Sequence, residues 1–449
     1  MITIPELRGK DIIHSNKKGI VHSLGCKVSQ VETESVAQLM RDAGYELSDR
    51  HKDPDLIFVN TCCVTGRAEA KSRRFVGSLA KRFPSARIIA AGCLAELKPD
   101  NLQALSPNIA CLGTYAKDCM APTASIFEYN DGLHTGISAS GCGTFGFLPT
   151  PTDQNRARAL IKIQDGCSQR CSYCIVPTTR GPSRSMEPDR ALEDISRLEI
   201  AGFPEIVLTG IHLGAYGRDL SSKIGFDDFV VKALGILVKA RLRFSSIEPQ
   251  EVSDKLIEIV AADSRICNHF HIPVQNMDDR ILVAMGRPYS SRQIEELAAR
   301  ILGKIPDACI GADVMVGFPG EDDHSFKITY DSLARSGFGY LHVFPFSRRP
   351  GVPASTMRDV PDRKVVAERV TAMRLLSERL RNTFYARFVG RELQACIESG
   401  QDSSGGYITA RTDNYILARL IDAAGIPRRG LFKIVVESVS DELVLAKPA

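Results

Sequence analysis

Short apolar runs alternate with longer amphipathic stretches through most of the chain. From Gly19 to about Thr114, apolar runs of four or five residues are separated by segments whose apolar residues recur with helical spacing. This alternation is typical of β-α-β units on a parallel sheet. The predicted strands are Ile20–Leu24, Leu56–Val59, Ile88–Ala91 and Ile109–Leu112, and the predicted helices are Gln30–Ala43 and Ala68–Phe83.

A second and longer α/β series follows a segment rich in glycine and threonine. That segment, Gly132–Thr152, contains Pro149-Thr150-Pro151 and is predicted to be a linker. At least six β-α repeats come after it, which favours a complete or partial barrel of parallel strands. The predicted strands are Ala159–Ile163, Glu205–Thr209, Arg243–Ile247, His269–Ile272, Gly311–Val316 and Tyr340–Phe344.

The last part of the chain changes character. Pro361–Tyr385 is predicted to be a helix, because proline suits a first helical turn and the apolar residues fall on one face. That face comprises Val366, Val370, Met373 and Leu380. From Phe388 onward, short alternating segments with Gly405-Gly406 between them predict a small antiparallel β-barrel. The segments are Leu393–Ile397, Tyr415–Ala418 and Phe432–Val436.

These patterns together predict an α/β protein with three domains. They are an N-terminal parallel-sheet domain over 17–150, a central partial (β/α) barrel over 153–385 and a C-terminal barrel over 386–449. A length of 449 residues also predicts about three domains, at roughly 150 residues per domain. With 44% hydrophobic and 24% charged residues, the chain is neither disordered, collagen-like nor a coiled coil.

Composition also predicts the compartment. No run of about 18 apolar residues occurs, so a membrane span is excluded by length, and the first residues contain no apolar core of a signal peptide. We therefore expect a cytoplasmic protein with reduced thiols. Thirteen cysteines in such a chain favour metal binding or chemistry. A net charge of +4 is only mildly basic and permits a nucleic-acid partner.

Three cysteines share one loop directly after the first strand of the central series. Cys167, Cys171 and Cys174 have the spacing C-x3-C-x2-C. Three thiolates on one loop can hold three irons of a 4Fe-4S cluster and leave the fourth iron open for chemistry. The alternative is a structural zinc ion, which needs four closed ligands, and neither His212 nor His271 lies near in sequence. The spacing therefore favours an iron–sulfur cluster.

Three other cysteines are far apart in sequence but end three predicted strands. Cys26, Cys62 and Cys93 follow the first, second and third strands of the N-terminal series. Parallel strands bring their carboxyl ends to one edge of a sheet, so these thiols should converge. Any one of them alone is explained as an ordinary buried cysteine. Cys63 adjoins Cys62, but neighbouring strand residues point to opposite faces, so we expect only Cys62 to be a ligand.

At this point the chain resembles a known family. Leu24–Glu34, Asn60–Thr65 with Ala68–Arg74, and Gly92-Cys93 are similar to the N-terminal domain of the methylthiotransferase family. The loop cysteines, with an aromatic residue before the third, resemble the radical S-adenosylmethionine superfamily, and Phe388–Pro448 resembles a TRAM module. The resemblance covers nearly the whole chain. Gly25-Cys26-Lys27-Val28 and Glu32-Thr33-Glu34 are most similar to the branch that modifies N6-threonylcarbamoyladenosine in the tRNA anticodon loop.

The resemblance implies cofactors, partners and a reaction. Cys167, Cys171 and Cys174 would hold a 4Fe-4S cluster that binds S-adenosylmethionine, and Cys26, Cys62 and Cys93 a second 4Fe-4S cluster that carries or supplies sulfur. A methylthio group would be added at C2 of the modified adenosine, with no catalytic residue assigned beyond the cluster ligands. C2–H is unactivated, so a cofactor must perform the difficult step. The implied partners are tRNA and an external electron donor of the flavodoxin or ferredoxin type, and we expect a monomer.

Two positions depart from the pattern of the family. Ser29 stands where the family usually has asparagine, and Asn276-Met277 stands where Ser-Gly commonly follows the glutamine of the central motif. Neither departure removes a predicted cluster ligand.

Turns at the ends of later strands resemble the sites of the superfamily that hold S-adenosylmethionine. The candidate contacts are Gly210, Glu248, Gln275 and Gly317. Taken alone, each lies in an ordinary strand-to-helix turn. Asp165 and Arg180 flank the cysteine loop, and a surface ion pair explains them nearly as well as a substrate role.

The sequence signals for nucleic-acid binding are weaker than those for the cysteine clusters. Five basic residues of one predicted helix could neutralise phosphates, although a solvated helix face is the commoner explanation. They are Lys71, Arg73, Arg74, Lys81 and Arg82. In the C-terminal barrel, Tyr407, Tyr415 and Phe432 could stack on bases, although such aromatic residues more often fill a core.

Three alternatives stay open. The first is the same chemistry on N6-isopentenyladenosine of tRNA or on an aspartate of a ribosomal protein. The second is a radical methyltransferase with one cluster, in which the N-terminal cysteines are merely buried. The third is a non-catalytic RNA-binding protein that retains a structural iron–sulfur cluster.

Overall fold

The computed structural model describes residues 17–115, 117, 148–154, 156–399, 408–421, 425–427, 429–440 and 443–449. Several sequence predictions lie outside the described residues. They concern Gly405-Gly406, Tyr407 and most of Gly132–Thr152. In the described part of the chain, no helix is long and apolar enough to cross a membrane.

The first sheet has five parallel strands in the order β2-β1-β3-β4-β5. The strands are β1 Lys17–Ser23, β2 Tyr45–Leu47, β3 Leu56–Thr61, β4 Arg87–Gly92 and β5 Ile109–Leu112. The helices are α1 Lys27–Asp42, α2 Gly66–Arg82, α3 Cys93–Leu97 and α4 Pro99–Gln103. The four predicted strands and two predicted helices are confirmed. β2 was not predicted, because a three-residue strand is too short to show a period.

Burial explains why these segments form strands and helices. Every residue of β3 is buried, as expected for a strand covered by helices on both faces of a parallel sheet. α2 begins at a favourable cap, since the Thr65 hydroxyl accepts a hydrogen bond from the backbone N–H of Ala68. Its buried face, Ser72, Val76, Leu79 and Ala80, packs on the sheet and leaves the other face in solvent.

The central region contains six parallel strands in two three-stranded sheets, ordered β6-β9-β10 and β11-β12-β13. The bridge between Leu242 and Ile266 joins the two sheets into one curved wall. The strands are β6 Ala159–Lys162, β9 Glu205–Thr209, β10 Arg241–Phe244, β11 His269–Gln275, β12 Cys309–Val316 and β13 Tyr340–Pro345. A small hairpin of β7 Gln164–Asp165 and β8 Arg184–Ser185 flanks the cysteine loop. The predicted partial barrel is thus confirmed.

Helices cover the outer face of this wall. α5 Val176–Arg180 instead follows the cysteine loop and contacts α3 of the first domain. The outer helices are α6 Pro188–Ile200, α7 Phe226–Ile236, α8 Asp254–Ala262, α9 Asp279–Ala284, α10 Ser291–Lys304, α11 Asp323–Arg335 and α12 Arg363–Ala386. Short 3-10 helices occur at Leu213–Ala215, Pro249–Glu251 and Pro353–Ser355. α12 confirms the predicted Pro361–Tyr385 helix, and Val370 and Met373 of its predicted face are buried.

The C-terminal strands close into a barrel in the order β14-β15-β16-β18-β17. They are β14 Glu392–Ser399, β15 Thr409–Thr412, β16 Leu417–Leu420, β17 Phe432–Ser440 and β18 Leu443–Pro448. The prediction of a purely antiparallel barrel was wrong in one pairing, because β16 and β18 run parallel. Five strands cannot alternate direction all the way round a closed barrel, so one neighbouring pair must be parallel.

Buried arginines attach this barrel to the amino ends of the central strands. Arg241 and Arg243 of β10 both pair with Glu205 of β9. Their guanidinium groups also donate to backbone carbonyl oxygens of the C-terminal barrel, at Arg411 and Thr412. Burial alone would raise the pKa of Glu205, but the surrounding guanidinium groups hold it well below its usual range. The barrel is therefore fixed by charge-assisted hydrogen bonds.

Candidate active site

The cysteine loop is tied to the barrel by its own backbone. The N–H of Cys167 donates to the carbonyl oxygen of Gly181, and the N–H of Ser172 donates to that of Met285 at the end of α9. Cys171 is buried, whereas Cys167 and Cys174 are half-buried. Burial raises the pKa of the Cys174 thiol to about 12. The loop thus presents three thiols from one rigid turn.

Arg287 and His212 contact the loop cysteines. The sequence did not predict either residue as a partner of these thiols. Arg287 donates to Sγ of Cys171 at 3.1 Å and to the Pro273 carbonyl oxygen at 2.9 Å, and it pairs with Glu248. Nδ1 of His212 lies 3.6 Å from Sγ of Cys167. Neither contact carries a sequence signal, because His212 follows β9 and Arg287 lies in the loop between α9 and α10, both far from the cysteines in sequence. An N–H donor beside a thiolate ligand orients it and tunes its electronics.

His212 is held on its other side by a carboxylate. Its Nε2 lies 2.9 Å from Oε1 of Glu251. Burial lowers the pKa of the imidazole, but its contacts with Cys167 and Glu251 outweigh burial and raise the pKa to about 10. Its backbone N–H donates to Oε1 of Gln164 at 2.7 Å, which ties the end of β9 to the cysteine loop. His212 therefore supports the loop from the barrel side.

The second group of cysteines converges as predicted. β1, β3 and β4 are neighbours in the sheet, and Cys26, Cys62 and Cys93 follow their carboxyl ends. Gly92, at a φ of 90°, makes the turn before Cys93, and a Cβ there would approach the Asn60 side chain to 2.2 Å. Burial, with smaller contributions from the nearby thiols of Cys93 and Cys26, raises the pKa of the Cys62 thiol to about 11. Their role as cluster ligands stays a prediction.

Cys63 has a different environment from Cys62. Its side chain is fully buried among apolar residues of the first sheet. Its Sγ donates to the carbonyl oxygen of Cys93 at 3.3 Å, so this thiol already has a hydrogen-bond partner. These contacts agree with the choice of Cys62 rather than Cys63.

In the described part of the chain, neither cysteine triad is packed tightly enough to surround a single metal ion. A tetrahedral zinc ion brings its thiolate sulfurs about 3.8 Å apart. Among the described residues, His271, Asp313 and His342 form the one group of three possible ligands whose atoms all lie within 4.8 Å of one another. Neither cysteine triad meets that distance. Three thiolates that each bind a separate iron of a cubane are spread more widely than this, and cluster binding by either triad stays a prediction.

A buried charge network joins the two groups of cysteines. The Arg180 guanidinium lies 2.9 Å from Asp165 of the cysteine loop and 3.1 Å from Glu32 of α1. Lys162 and Lys117 also pair with Glu32. The interpretation of Asp165 and Arg180 as a surface pair was wrong, because α1 covers them and Arg180 is only 1% exposed. Arg180 also interacts electrostatically with Cys93 and Cys26, which places it between the triads.

A cavity of about 240 Å³ opens beside the loop cysteines. All three loop cysteines line it, and so do Val64 and Thr65, which follow Cys62-Cys63 in the N-terminal sheet. Apolar walls come from Ile211, Met315 and Phe344. The cavity therefore lies where the end of the first sheet meets the carboxyl ends of the barrel strands, the usual ligand site of α/β folds.

The four predicted cofactor contacts have different positions. Glu248 and Gln275 line the cavity, whereas Gly210 directly precedes the lining residue Ile211. Gly317 is not a lining residue. Its φ is 80°, its N–H donates to Glu321, and a Cβ there would meet the Val366 side chain at 2.6 Å. Gly317 thus allows close packing against α12, and its contact with a cofactor stays a prediction.

Gln275 carries two signs of a ligand contact. It has a φ of 66°, which is unusual for a residue other than glycine. Its Oε1 is buried without a hydrogen-bond partner among the described residues. Backbone strain and unsatisfied polar atoms concentrate at binding sites. The oxygen is therefore available to accept a hydrogen bond from a molecule in the cavity.

The candidate nucleic-acid contacts differ in how far they are exposed to solvent. The five basic residues of α2 are all exposed. Tyr415 is half-buried and stacks on His269 with ring centres 4.0 Å apart, and Phe432 packs against the core of the C-terminal barrel. These two aromatic rings therefore contact their own protein, and base stacking by them stays a prediction.

Comparison with known proteins agrees with this arrangement. The pattern of a family described as "Uncharacterized protein family UPF0004" matches residues 18–113, and that of the radical SAM superfamily matches 161–333. The chain is 33% identical to a threonylcarbamoyladenosine tRNA methylthiotransferase of Bacillus subtilis, over 88% of each protein. It is 31% identical to a tRNA-2-methylthio-N(6)-dimethylallyladenosine synthase of Pelotomaculum thermopropionicum, over 88% of this chain and 90% of that one.

Among solved structures, the fold is similar to that of a radical S-adenosylmethionine methyltransferase, TsrM, from Kitasatospora setae. The TM-score is 0.55 at 12% identity, over 76% of this chain and 77% of that one. Identity this low supports the shared fold alone. The two curated relatives have nearly equal identity but different substrates in their names, so similarity does not distinguish between those substrates.

Proposed function

Since the chain belongs to the radical S-adenosylmethionine methylthiotransferase family, we propose that it adds a methylthio group to C2 of N6-threonylcarbamoyladenosine next to the anticodon of tRNA. The observation that carries this proposal is the pair of cysteine triads at the meeting point of the first sheet and the barrel. A single-cluster enzyme would need only Cys167, Cys171 and Cys174. Cys26, Cys62 and Cys93 converge at the edge of the first sheet that faces this region. A second cluster held there would give the sheet its own part in the reaction.

The residues fit the groups that this function needs. Cys167, Cys171 and Cys174 would hold one 4Fe-4S cluster, with S-adenosylmethionine in the cavity beside Glu248 and Gln275. Cys26, Cys62 and Cys93 would hold a second 4Fe-4S cluster. When bound, these groups supply hydrogen abstraction from an unactivated carbon and the methylthio sulfur.

The side chains of the protein have three tasks in this scheme. Arg287 holds Cys171 and Glu248 in place through hydrogen bonds. Ile211, Met315 and Phe344 give the cavity apolar walls, which limit the water around a reactive centre. Arg180 fixes the first sheet against the barrel through Glu32 and Asp165, so the two triads keep one geometry.

The partners follow from the same scheme. tRNA would lie along the exposed basic face of α2, whose cations can neutralise phosphates. An external electron donor of the flavodoxin or ferredoxin type would reduce the loop cluster. The preference for threonylcarbamoyladenosine is supported by the resemblance of Gly25-Cys26-Lys27-Val28 and Glu32-Thr33-Glu34 to that branch of the family.

Nucleoside mass spectrometry tests the reaction. tRNA from cells that contain this chain should carry the 2-methylthio form of threonylcarbamoyladenosine, and tRNA from cells without it should carry only the unmethylthiolated form. Loss of a methylthio group from isopentenyladenosine instead would contradict the substrate. An unchanged tRNA nucleoside profile would contradict the function as a whole.

Iron analysis tests the two-cluster arrangement independently. After anaerobic reconstitution, two clusters require about eight irons per chain, whereas one cluster gives about four. Tight tRNA binding without 5′-deoxyadenosine formation under reducing conditions would instead indicate a non-catalytic RNA-binding protein.

A further inference from the structure

Polar side chains line the inner wall of the barrel beside the cavity. Along β11, β12 and β13, alternate residues such as Ile272, Val314 and Leu341 pack outward in the main core. The strand period of two therefore turns His271, Asp313 and His342 to the inner face. Met315 and Phe344, which line the cavity, lie two residues further along β12 and β13. His271, Asp313 and His342 thus form a polar layer of the same wall, next to the layer that contains Met315 and Phe344.

This layer is open to solvent at one side. β13 is the edge strand of its sheet, so the wall ends there. The His342 side chain is 56% exposed and that of Asp313 is 26% exposed, although both face the interior of the barrel. Asp313 and His342 can therefore be reached from that side, two residues along their strands from the cavity-lining Met315 and Phe344.

Asp313 is a ready acceptor at the centre of the layer. Its Oδ1 lies 3.0 Å from Nε2 of His271 and 3.4 Å from Nδ1 of His342. Burial alone would raise the pKa of Asp313, but the two imidazoles hold it well below its usual range. Its other oxygen, Oδ2, has no hydrogen bond in the described part of the chain. A charged carboxylate with a free lone pair can accept from a hydroxyl or a urea N–H.

Lys27 faces this layer from the N-terminal sheet domain. It is the first residue of α1 and directly follows the predicted cluster ligand Cys26. Its ammonium group interacts electrostatically with Tyr415 of the C-terminal barrel, with the like charges of Arg158 and Arg243, and more weakly with Asp313. Among the described residues it has neither an ion pair nor a hydrogen bond, and it is exposed. An unpaired cation thus stands where the three parts of the molecule meet.

We propose that this layer is the pocket for the N6 substituent of the substrate adenosine, and that Lys27 binds the carboxylate of that substituent. The inference rests on the proposed function. A threonylcarbamoyl group carries a carboxylate for Lys27, and a hydroxyl and urea N–H groups for Asp313. C2 and C6 of adenine both adjoin N1, so the substituent lies close to the reacting carbon, just as Lys27 adjoins Cys26.

The same lining disfavours an apolar substituent. A dimethylallyl group would remove water from Lys27 and Asp313 without offering either a partner. Sites built to bind a polar group reject analogues that lack it far more strongly than apolar pockets reject an extra group. The pocket is therefore a specificity determinant as well as a binding site.

The test pairs a change in the enzyme with a change in the substrate. Reconstituted wild type, Lys27→Met and Lys27→Arg are assayed on tRNA carrying threonylcarbamoyladenosine or its carboxylate methyl ester, with kcat/KM for methylthiolation as the readout. We expect Lys27→Met, or the ester, each to lower kcat/KM roughly 100-fold, and Lys27→Arg to stay within about 10-fold of wild type. The ester should cost Lys27→Met less than about 3-fold, because the interaction is already lost. Lys232→Met, an exposed lysine of α7, is the matched control and should be unchanged.

Two results would overturn the inference alone. One is a wild type that turns over the ester as well as the acid, and the other is additive losses from Lys27→Met and the ester. Because Lys27 adjoins Cys26, iron per chain is measured for each variant. If Lys27→Met loses iron, the ratio of its kcat/KM values for acid and ester still decides the matter, because that ratio does not depend on the fraction of chains that carry clusters. A wild type that methylthiolates no tRNA, or prefers dimethylallyladenosine, would instead overturn the proposed substrate and the inference together.

Discussion

The two cysteine triads bring three thiols together in different ways. Cys167, Cys171 and Cys174 lie on one short loop, and their spacing alone brings three thiols together. Cys26, Cys62 and Cys93 come from the ends of three neighbouring strands and meet only after the sheet has formed. The loop triad is held by Arg287 and His212 of the barrel, whereas the sheet triad depends on strand order and on Arg180. Each triad lies within one domain, so movement between the domains would change the separation of the two triads rather than the geometry of either one.

Loss of one loop thiol should have the largest effect. Cys174→Ala removes a predicted ligand of the open cluster, so we expect 5′-deoxyadenosine formation under reducing conditions to fall at least ~10³-fold. Liquid chromatography with mass spectrometry measures this product. Cys111→Ala, which changes a buried cysteine on β5 away from both triads, should retain it. Normal cleavage by Cys174→Ala would contradict the ligand assignment.

Loss of one sheet thiol should separate the two triads. Cys93→Ala is expected to spare cleavage of S-adenosylmethionine but to stop sulfur insertion, and to lower iron from about eight to about four per chain. The matched control is Cys63→Ala, since that thiol lies in the core beside Cys62 and should keep about eight irons. A Cys93→Ala enzyme that still methylthiolates its substrate would show that the sheet triad holds no essential cluster.

Removing the charge between the triads should affect the sheet triad more than the loop triad. Arg180→Met leaves Glu32 and Asp165 short of a buried partner, which should cost about 3–5 kcal/mol of unfolding free energy. Sulfur insertion should fall more than cofactor cleavage, because Arg180 fixes the sheet against the barrel. Chemical denaturation and the two product assays measure these effects.

The control for Arg180→Met is Arg292→Met, which removes an exposed pair with Glu296. A surface pair of this kind contributes about 0–1 kcal/mol. Equal destabilisation by the two substitutions would mean that the buried network does not hold the domains in register.

The smallest effect on activity should come from replacing Arg287, which donates to the loop thiol of Cys171 and pairs with Glu248. Arg287→Met removes the hydrogen-bond donor to Sγ of Cys171. That donor stabilises the reduced cluster, which carries the more negative charge. We expect a lower reduction potential for the loop cluster and slower cofactor cleavage, on the order of 10-fold, with unchanged iron content. Potentiometric titration followed by electron paramagnetic resonance distinguishes the clusters. A shift in both potentials would point to a wider structural change.

Some parts of the fold follow from sequence pattern because their causes are local. The alternation of apolar runs and helical spacing predicted the first sheet, the barrel and α12, since hydrophobic period is set by backbone geometry. It misplaced β10, predicted at Arg243–Ile247 but observed at Arg241–Phe244, because two buried arginines made a core strand look polar. Their partner Glu205 is on another strand, so no local pattern shows that the charges are neutralised.

The sequence by itself determined the chemistry of the site. The spacing of the loop cysteines and the positions of the other three at strand ends are enough to identify six candidate ligands. The tertiary structure decided everything that depends on distance between separate segments. Only folding brings Arg287 to Cys171, buries Arg180 between two domains and sets Lys27 opposite Asp313. Hydrogen bonds and charge interactions depend on separation in space, and separation along the chain does not report it.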